Sequence, residues 1–462
     1  MQVRKLILTA ILAVASLPAA AAVHEVHDGE SIQQAVNGAQ PGDTILVYPG
    51  RYVEGVYIDK DGITLRGVVE ENEWPTLDGE KKLNDAILYS GNDITIEWLK
   101  IVEYKGNAIM GQAGNNFVIR YNWVIDTGVY GIFPQYGQNG LIAYNKLSEI
   151  EDAAIYVGMC DNIDVKFNEV FDSVAGIEIE NSRHALVEAN YVHDNTGGIL
   201  TFITPGLPIK TTYDVIIRNN FVVNNNTPNF AAPGSIVASV PAGSGIIVMA
   251  ADDVRIEGNI ITGNNTAGIL VSDLSFIGDI SSDPDSEPNP DRLAVLDNFM
   301  EDNGTDAVAE VKALSMATNF TTRGPDIVAV GSAEESDNCI INRGRYRMIG
   351  TDDWSECDIT TTMETSTYLL AGGAPPRSTD GESKAQLLYR GICAGCHGYD
   401  VRLIGPATVT IQAIYGDDAQ GIADYMASPE KKRPDYPEMP PQDDLPEELR
   451  LEVARYMLKD GQ

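Results

Sequence analysis

The sequence predicts a solenoid of parallel β-coils followed by a small helical domain. Three observations predict it: a repeat of 22 or 23 residues over about residues 60–305, an Asn at a fixed place in that repeat, and the run Cys393-Ala394-Gly395-Cys396-His397 near the C-terminus. A chain of 462 residues exceeds what one hydrophobic core serves, so two or three domains are expected. Hydrophobic content of 44% and charged content of 21% exclude wholesale disorder.

Residues 1–22 read as an export signal. Arg4 and Lys5 precede an apolar run from Leu6 to Leu17, and Ala20-Ala21-Ala22 supplies the small residues of a cleavage site. The run is too short for a membrane span. The mature protein is expected to start near Val23, in the periplasm or secreted. Lys and Arg number 32 against 67 Asp and Glu, a formal charge of −35; losing Arg4 and Lys5 makes it 30 against 67, or −37. Such acidity disfavours nucleic acid and anionic membranes as partners. It serves solubility, or steers a basic redox protein partner.

The stretch Ser31 to Gly38 places Ile32, Ala35 and Val36 on one helical face and is followed by Pro41-Gly42. It is expected to cap the N-terminal end of the solenoid, since exposed coil ends need covering. Asn122, Asn145, Asn168 and Asn190 then follow at spacings of 23, 23 and 22, with Asn220, Asn259 and Asn298 after longer intervals. Three residues before each stands a β-branched apolar residue, as Ile119, Ile142 and Val165; two after comes another apolar one, as Val124, Leu147 and Val170. A second column pairs a small residue with Ile, from Ala86-Ile87 to Gly268-Ile269. Short β-branched runs punctuated by Gly and Asn favour strands over helix. The repeat length is that of one coil of a parallel β-helix, with Asn side chains stacked up the coils. About nine or ten coils are expected.

Insertions interrupt two coils, at residues 224–243 and at the acidic, Pro-rich 281–291. Of five Cys, Cys339 and Cys357 lie 18 apart in a loop-rich part of an exported chain, where a disulfide is expected. Cys160 reads as a small buried apolar side chain. Residues 360–380 are rich in Thr, Gly, Ser and Pro and read as a linker.

Two sets of side chains invite functional readings. Arg183, His184, His193 and Lys210, with Tyr213 near, cluster within two coils and are the candidate bases of a polysaccharide-active enzyme. The column Arg120, Ala143, Lys166, Glu188, Arg218 and Glu257 argues otherwise, because mixed signs keep an outward strand soluble. After each inward Ile of the second column the next residue points outward: Met110, Phe133, Tyr156, Glu178, Leu200, Ile247 and Leu270, with Gln112, Gln135, Glu180 and Phe202 two places further. This face suits a carbohydrate ligand packed on aromatic rings, a docking patch for the helical domain, or satellite core beneath long loops. Glu178 and Glu180 are also a candidate acid and base for glycoside hydrolysis.

The runs SIQQAVNGAQPGDTILVYPGRYVEGVYI and DGITLRG resemble the opening of right-handed parallel β-helix proteins of the pectin-lyase-like class. GIEIENS, NTGGIL, TPNFAAPGSIVASVPAGSG and GNNTAGILVS further resemble a bacterial family of exported β-helix proteins often found with cytochrome domains. The likeness covers residues 24–359, and it implies a fold and an exported location. The β-helix is accordingly assigned residues 23–359.

Two thiols three apart followed by His are what covalent haem attachment requires. Cys393 and Cys396 would carry one haem c and His397 would lie under its iron; no second Cys/His pair follows to complete a zinc site. Residues 381–462 resemble a small class I cytochrome c domain. That resemblance implies that Ile404-Gly405-Pro406 is the loop whose proline carbonyl accepts the second N–H of the ligand His. A distal Met is expected, because a thioether favours the reduced iron. Met426 and Met457 lie in helical patterns, whereas Met439 stands in Tyr436-Pro437-Glu438-Met439-Pro440-Pro441, and the family pattern favours Met439.

The whole chain thus reads as an all-β right-handed parallel β-helix solenoid followed by a small all-α cytochrome c domain. Its leading function is periplasmic electron transfer with the β-helix as binding or docking scaffold. A polysaccharide-active lyase, epimerase or hydrolase coupled to the redox module is the alternative, and a purely structural role would leave the haem without purpose.

Overall fold

The computed structural model describes residues 21–275, 283–331, 336–358 and 381–459. The expected export signal, but for its last two residues, and the expected linker lie outside them.

Helix α1 (Ile32–Gly38) opens the solenoid. Ser31 caps it through an N–H from Gln34, and the Glu54 carboxylate accepts from the N–H groups of Ile32 and Gln33 at 2.8 and 3.1 Å. The orphan donors of the first turn are therefore satisfied from the next coil. Ile32 and Val36 are buried over the end of the core.

Most coils beyond α1 give one strand to each of three parallel sheets. Among the described residues sheet A has 13 strands, sheet B 10 and sheet C 11. Sheets A and C thus run beyond the nine or ten coils expected, because the first and last coils lack the Asn that makes the repeat visible. Register follows the sequence period, as in Ile119↔Ile142↔Val165 on sheet A and Val124↔Leu147↔Val170 on sheet B. These residues, and the Ile residues of the second column on sheet C, are fully buried in one continuous core.

Asn side chains hold the corner between sheets A and B. Asn168 donates to the Ile142 carbonyl and to Asn190 Oδ1, each at 3.0 Å, and accepts the N–H of Asn145 at 3.0 Å. The same pattern runs from Asn122 to Asn298. A second, unanticipated ladder runs through Asn195, Asn225, Asn264 and Asn303, five residues after the first. The residue before each first-ladder Asn turns the chain with positive φ, as at Tyr121 (58°), Tyr144 (59°) and Phe167 (56°). Stacking offsets the strain of this left-handed backbone: these rings lie parallel at centroid distances of 5.1 and 5.0 Å.

The mixed column on sheet A is a chain of ion pairs, Arg120–Glu97 at 2.6 Å, Lys166–Glu188 at 3.3 Å and Arg218–Glu188 at 2.7 Å. Cys339 and Cys357 are joined in a disulfide, and Cys160 is buried in the core. Helix α2 (Ala309–Asn319), which the sequence reading did not anticipate, lies between the last strands of sheets B and C.

After the undescribed stretch come α3 (Lys384–Leu388), continued by a wider turn over Tyr389–Cys393, then α4 (Thr408–Tyr415), α5 (Ala419–Ala427) and α6 (Glu447–Lys459). Helix α4 was not anticipated. Leu388, Met426, Val453 and Met457 form the buried centre of this helical unit. No helix among the described residues is long and apolar enough to cross a membrane.

Candidate functional site

The helical unit sits on the outer face of sheet C. Met110, Phe133, Tyr156, Glu178, Leu200, Ile247 and Leu270, all outward-pointing, are all buried. One apolar cluster runs from all of these but Glu178 into Leu388, Tyr389, Cys393 and Ala394. Gly391 lies so close to sheet C that a Cβ there would stand 3.0 Å from the Ala113 nitrogen; at Gly395 it would stand 2.6 Å from Gln135 Nε2. A side chain at Gly391 would press on the sheet C backbone, and one at Gly395 would displace the Gln135 amide. Arg390 reaches across to the Tyr136 hydroxyl at 2.7 Å, and the Lys384 ammonium donates to the Ser90 carbonyl. Further along the sheet the cover changes. Val237 and Val240 of the 224–243 insertion and Leu314 of α2 pack on the same cluster. The face is therefore a docking patch at one end and satellite core beneath inserted segments at the other.

At the docked end lies the Cys393–His397 turn. The His397 N–H donates from Nδ1 to the Pro406 carbonyl at 2.8 Å, which leaves Nε2 free of that bond. Gly405 lies against the same ring, where a Cβ would stand 2.4 Å from Cε1. Burial pulls the His397 pKa below its ordinary value, so the neutral imidazole is the form held. Cys393 and Cys396 are not joined to each other. Burial pushes their thiols up to about 12 and about 11, with Glu180 adding to the rise at Cys396. A redox-active dithiol needs a lowered thiol pKa. These two have the opposite.

Three carboxylates gather beneath this turn. Glu178 and Glu180 occupy adjacent outward rows of the strand Ala175–Glu180, 3% and 6% exposed. Asp152 comes from the corner of the preceding coil. Burial pushes Glu180 up to about 7, while burial and the charge of Glu180 push Asp152 up to about 8. Glu178 is also raised, by burial and by Asp152. Tyr130 feels all three and Cys396 as well, which puts the five groups in one neighbourhood. Asp152 and Tyr130 escaped the sequence reading because both precede the small-residue column, at a corner where no repeat marks them. Among the described residues, no three His, Cys, Asp or Glu side chains are arranged to hold a metal ion.

The basic candidates lie elsewhere. Arg183 and His184 are on sheet A, Arg183 bound to both oxygens of Asp161 at 2.8 Å and His184 to Asp214 at 2.8 Å. His193 is on sheet B, held by Asp194 at 2.7 Å and stacked between Phe171 and Tyr191. They do not converge with Glu178 and Glu180. Met439 stands in irregular chain, half-buried against the helical core, whereas Met426 and Met457 are buried within α5 and α6.

Residues 135–277 match a family model described as a right-handed beta helix region. No curated protein matches the chain. Among solved structures it is similar to the A-module of mannuronan C-5 epimerase AlgE4 from Azotobacter vinelandii, at 14% identity, TM-score 0.46, over 72% of this chain and 84% of that one. It is similar to an alginate lyase from a Paenibacillus species at 15% identity, TM-score 0.46, over 62% and 97%. DFA-IIIase from Arthrobacter chlorophenolicus is a third, at 12% identity, TM-score 0.45, over 73% and 98%.

Proposed function

We infer that this is an exported electron-transfer protein in which one haem c is held by the C-terminal unit and the β-helix is the rigid body on which that unit is seated. The observation that carries the reading is His397, whose imidazole is fixed by the Pro406 carbonyl and flanked by Gly405 beside two unpaired thiols. Those residues fit the group: two thiols for thioethers, and one neutral imidazole with its tautomer set so that Nε2 is the metal-facing nitrogen. When bound, the haem supplies a one-electron ferric–ferrous couple. The chain's own part is to orient His397, to place Met439 as the candidate second ligand, and to keep water from the turn by pressing it on sheet C. In cells that mature c-type cytochromes, the purified protein is expected to give a c-type reduced-minus-oxidised spectrum. Changing Cys393 and Cys396 to Ala abolishes it, and a wild-type protein without that band contradicts the reading.

A second reading has one observation in its favour, the gathering of Asp152, Glu178 and Glu180. Carboxyls kept protonated near neutral pH are what acid–base chemistry on a glycan requires. Assays for unsaturated products or new reducing ends on polyuronides and neutral glycans test it. Activity lost in Glu178→Gln or Glu180→Gln, with the haem spectrum intact, would make the β-helix the catalyst.

A further inference from the structure

We propose that Asp152, Glu178 and Glu180 are the proton partner of the haem at Cys393 and Cys396, taking up one proton from solvent as one electron enters that haem from an external one-electron donor. The proton returns to solvent when the electron leaves. The proposal rests on the haem reading above.

Position comes first. The outward row Gln112↔Gln135↔Gly158↔Glu180 crosses sheet C, and Gly395 of the attachment turn presses on Gln135 within it. Glu180 and the Cys396 sulfur act on one another electrostatically. Glu180 thus stands close to the attachment turn, with Glu178 two residues before it on the same strand and Asp152 acting on both. An independent sign that this interface is made for a ligand is Gln112. It is 1% exposed, and both polar atoms of its amide lack a partner. Burying an amide with no partner is costly, so a native structure holding one calls for an explanation.

Charge comes second. Among the described residues no cation pairs with Asp152, Glu178 or Glu180. Arg183, two residues beyond Glu180's neighbour Asn181, is turned to sheet A and held by Asp161; Arg390 is bound to Glu382 and Tyr136, and Lys384 to the Ser90 carbonyl. Facing the trio from other elements are the phenols of Tyr130 and Tyr156, the hydroxyl of Thr204 and the sulfur of Cys396, which carries no charge as a thioether. Three carboxylates so enclosed cannot all ionise, and the pair that interacts most closely sheds its protons in steps. An added electron nearby favours the protonated form, and by linkage a bound proton favours the electron equally.

The test is an optical redox titration of the full, haem-loaded chain across pH 5 to 9. The wild-type reduction equilibrium is expected to fall on the order of tenfold as pH rises through this range, about 59 mV for one electron. The triple variant Asp152→Asn, Glu178→Gln, Glu180→Gln should show a flat profile, and each single variant a partial one. A flat wild-type profile overturns the proposal, as does a variant that keeps the full slope, which would assign the proton to the haem's own carboxylates. Circular dichroism of each variant confirms that it is folded. A protein with no c-type band fails the haem reading itself, a result distinct from a banded protein with a flat profile.

Discussion

Asn168 gives two hydrogen bonds and takes two from Asn145, all inside the corner between sheets A and B. Its replacement by Ala strands donors and acceptors on both neighbouring coils. Asn168→Ala is therefore expected to destabilise the protein by about 2–4 kcal/mol. Gln40→Ala, at an exposed position just past α1, should stay within about 0.5 kcal/mol in the same denaturant titration. The first ladder was legible because its period is regular and each Asn has apolar residues at fixed offsets. The second was hidden by Ser173, which takes the Asn position in its coil. At the proposed haem site the sequence names Cys393, Cys396 and His397 outright, and it leaves three Met open. Met439→Ala should lower the reduction potential or yield a high-spin spectrum. Met426→Ala should cost about 2–5 kcal/mol through its cavity and leave the spectrum unchanged, since it fills the core of α5.

Sheet C shows what a strand pattern hides. Alternation told which residues of Met110–Gln112, Ile132–Gln135 and Ala175–Glu180 point outward, yet outward and exposed are different things once another unit is seated there. Contacts between residues over 200 apart leave no mark in a 23-residue period. Glycine gave the nearest hint: at Gly391, before the first thiol, and at Gly395, between the two, the backbone lies close against sheet C. Gly395→Leu is expected to unseat the unit and raise the exposure of Phe133, read as faster proteolysis between the two units. The acidic trio gives this element a pH dependence. Its folded carboxyls hold protons to about 7 at Glu180 and about 8 at Asp152, while the unfolded chain releases them in the ordinary carboxylate range. The folded state then binds more protons between those limits, so stability is full at low pH within that range and falls as pH rises through about 8. Thermal midpoints should drop between pH 5 and 8.5, and Asp152→Asn with Glu180→Gln should flatten the decline.

At the scale of the molecule, the whole chain carries a formal charge of −35, and the sheet A face of its solenoid is laced by ion pairs. Such a surface attracts a basic partner and loses that attraction as salt is added. The fold was readable because a solenoid repeats each decision many times. The seating of the helical unit was not, because it is made once. That seating brings the Cys393–His397 turn, the apolar row of sheet C and the three carboxylates into one buried neighbourhood. Hydroxyl-radical footprinting of the intact, haem-loaded chain, read by mass spectrometry, tests it directly. Met110, Phe133 and Tyr156 are expected to stay unmodified while exposed Tyr144, Phe167 and Phe221 are oxidised. Oxidation of Met110, Phe133 and Tyr156 as rapid as that of Tyr144 and Phe167 would contradict it.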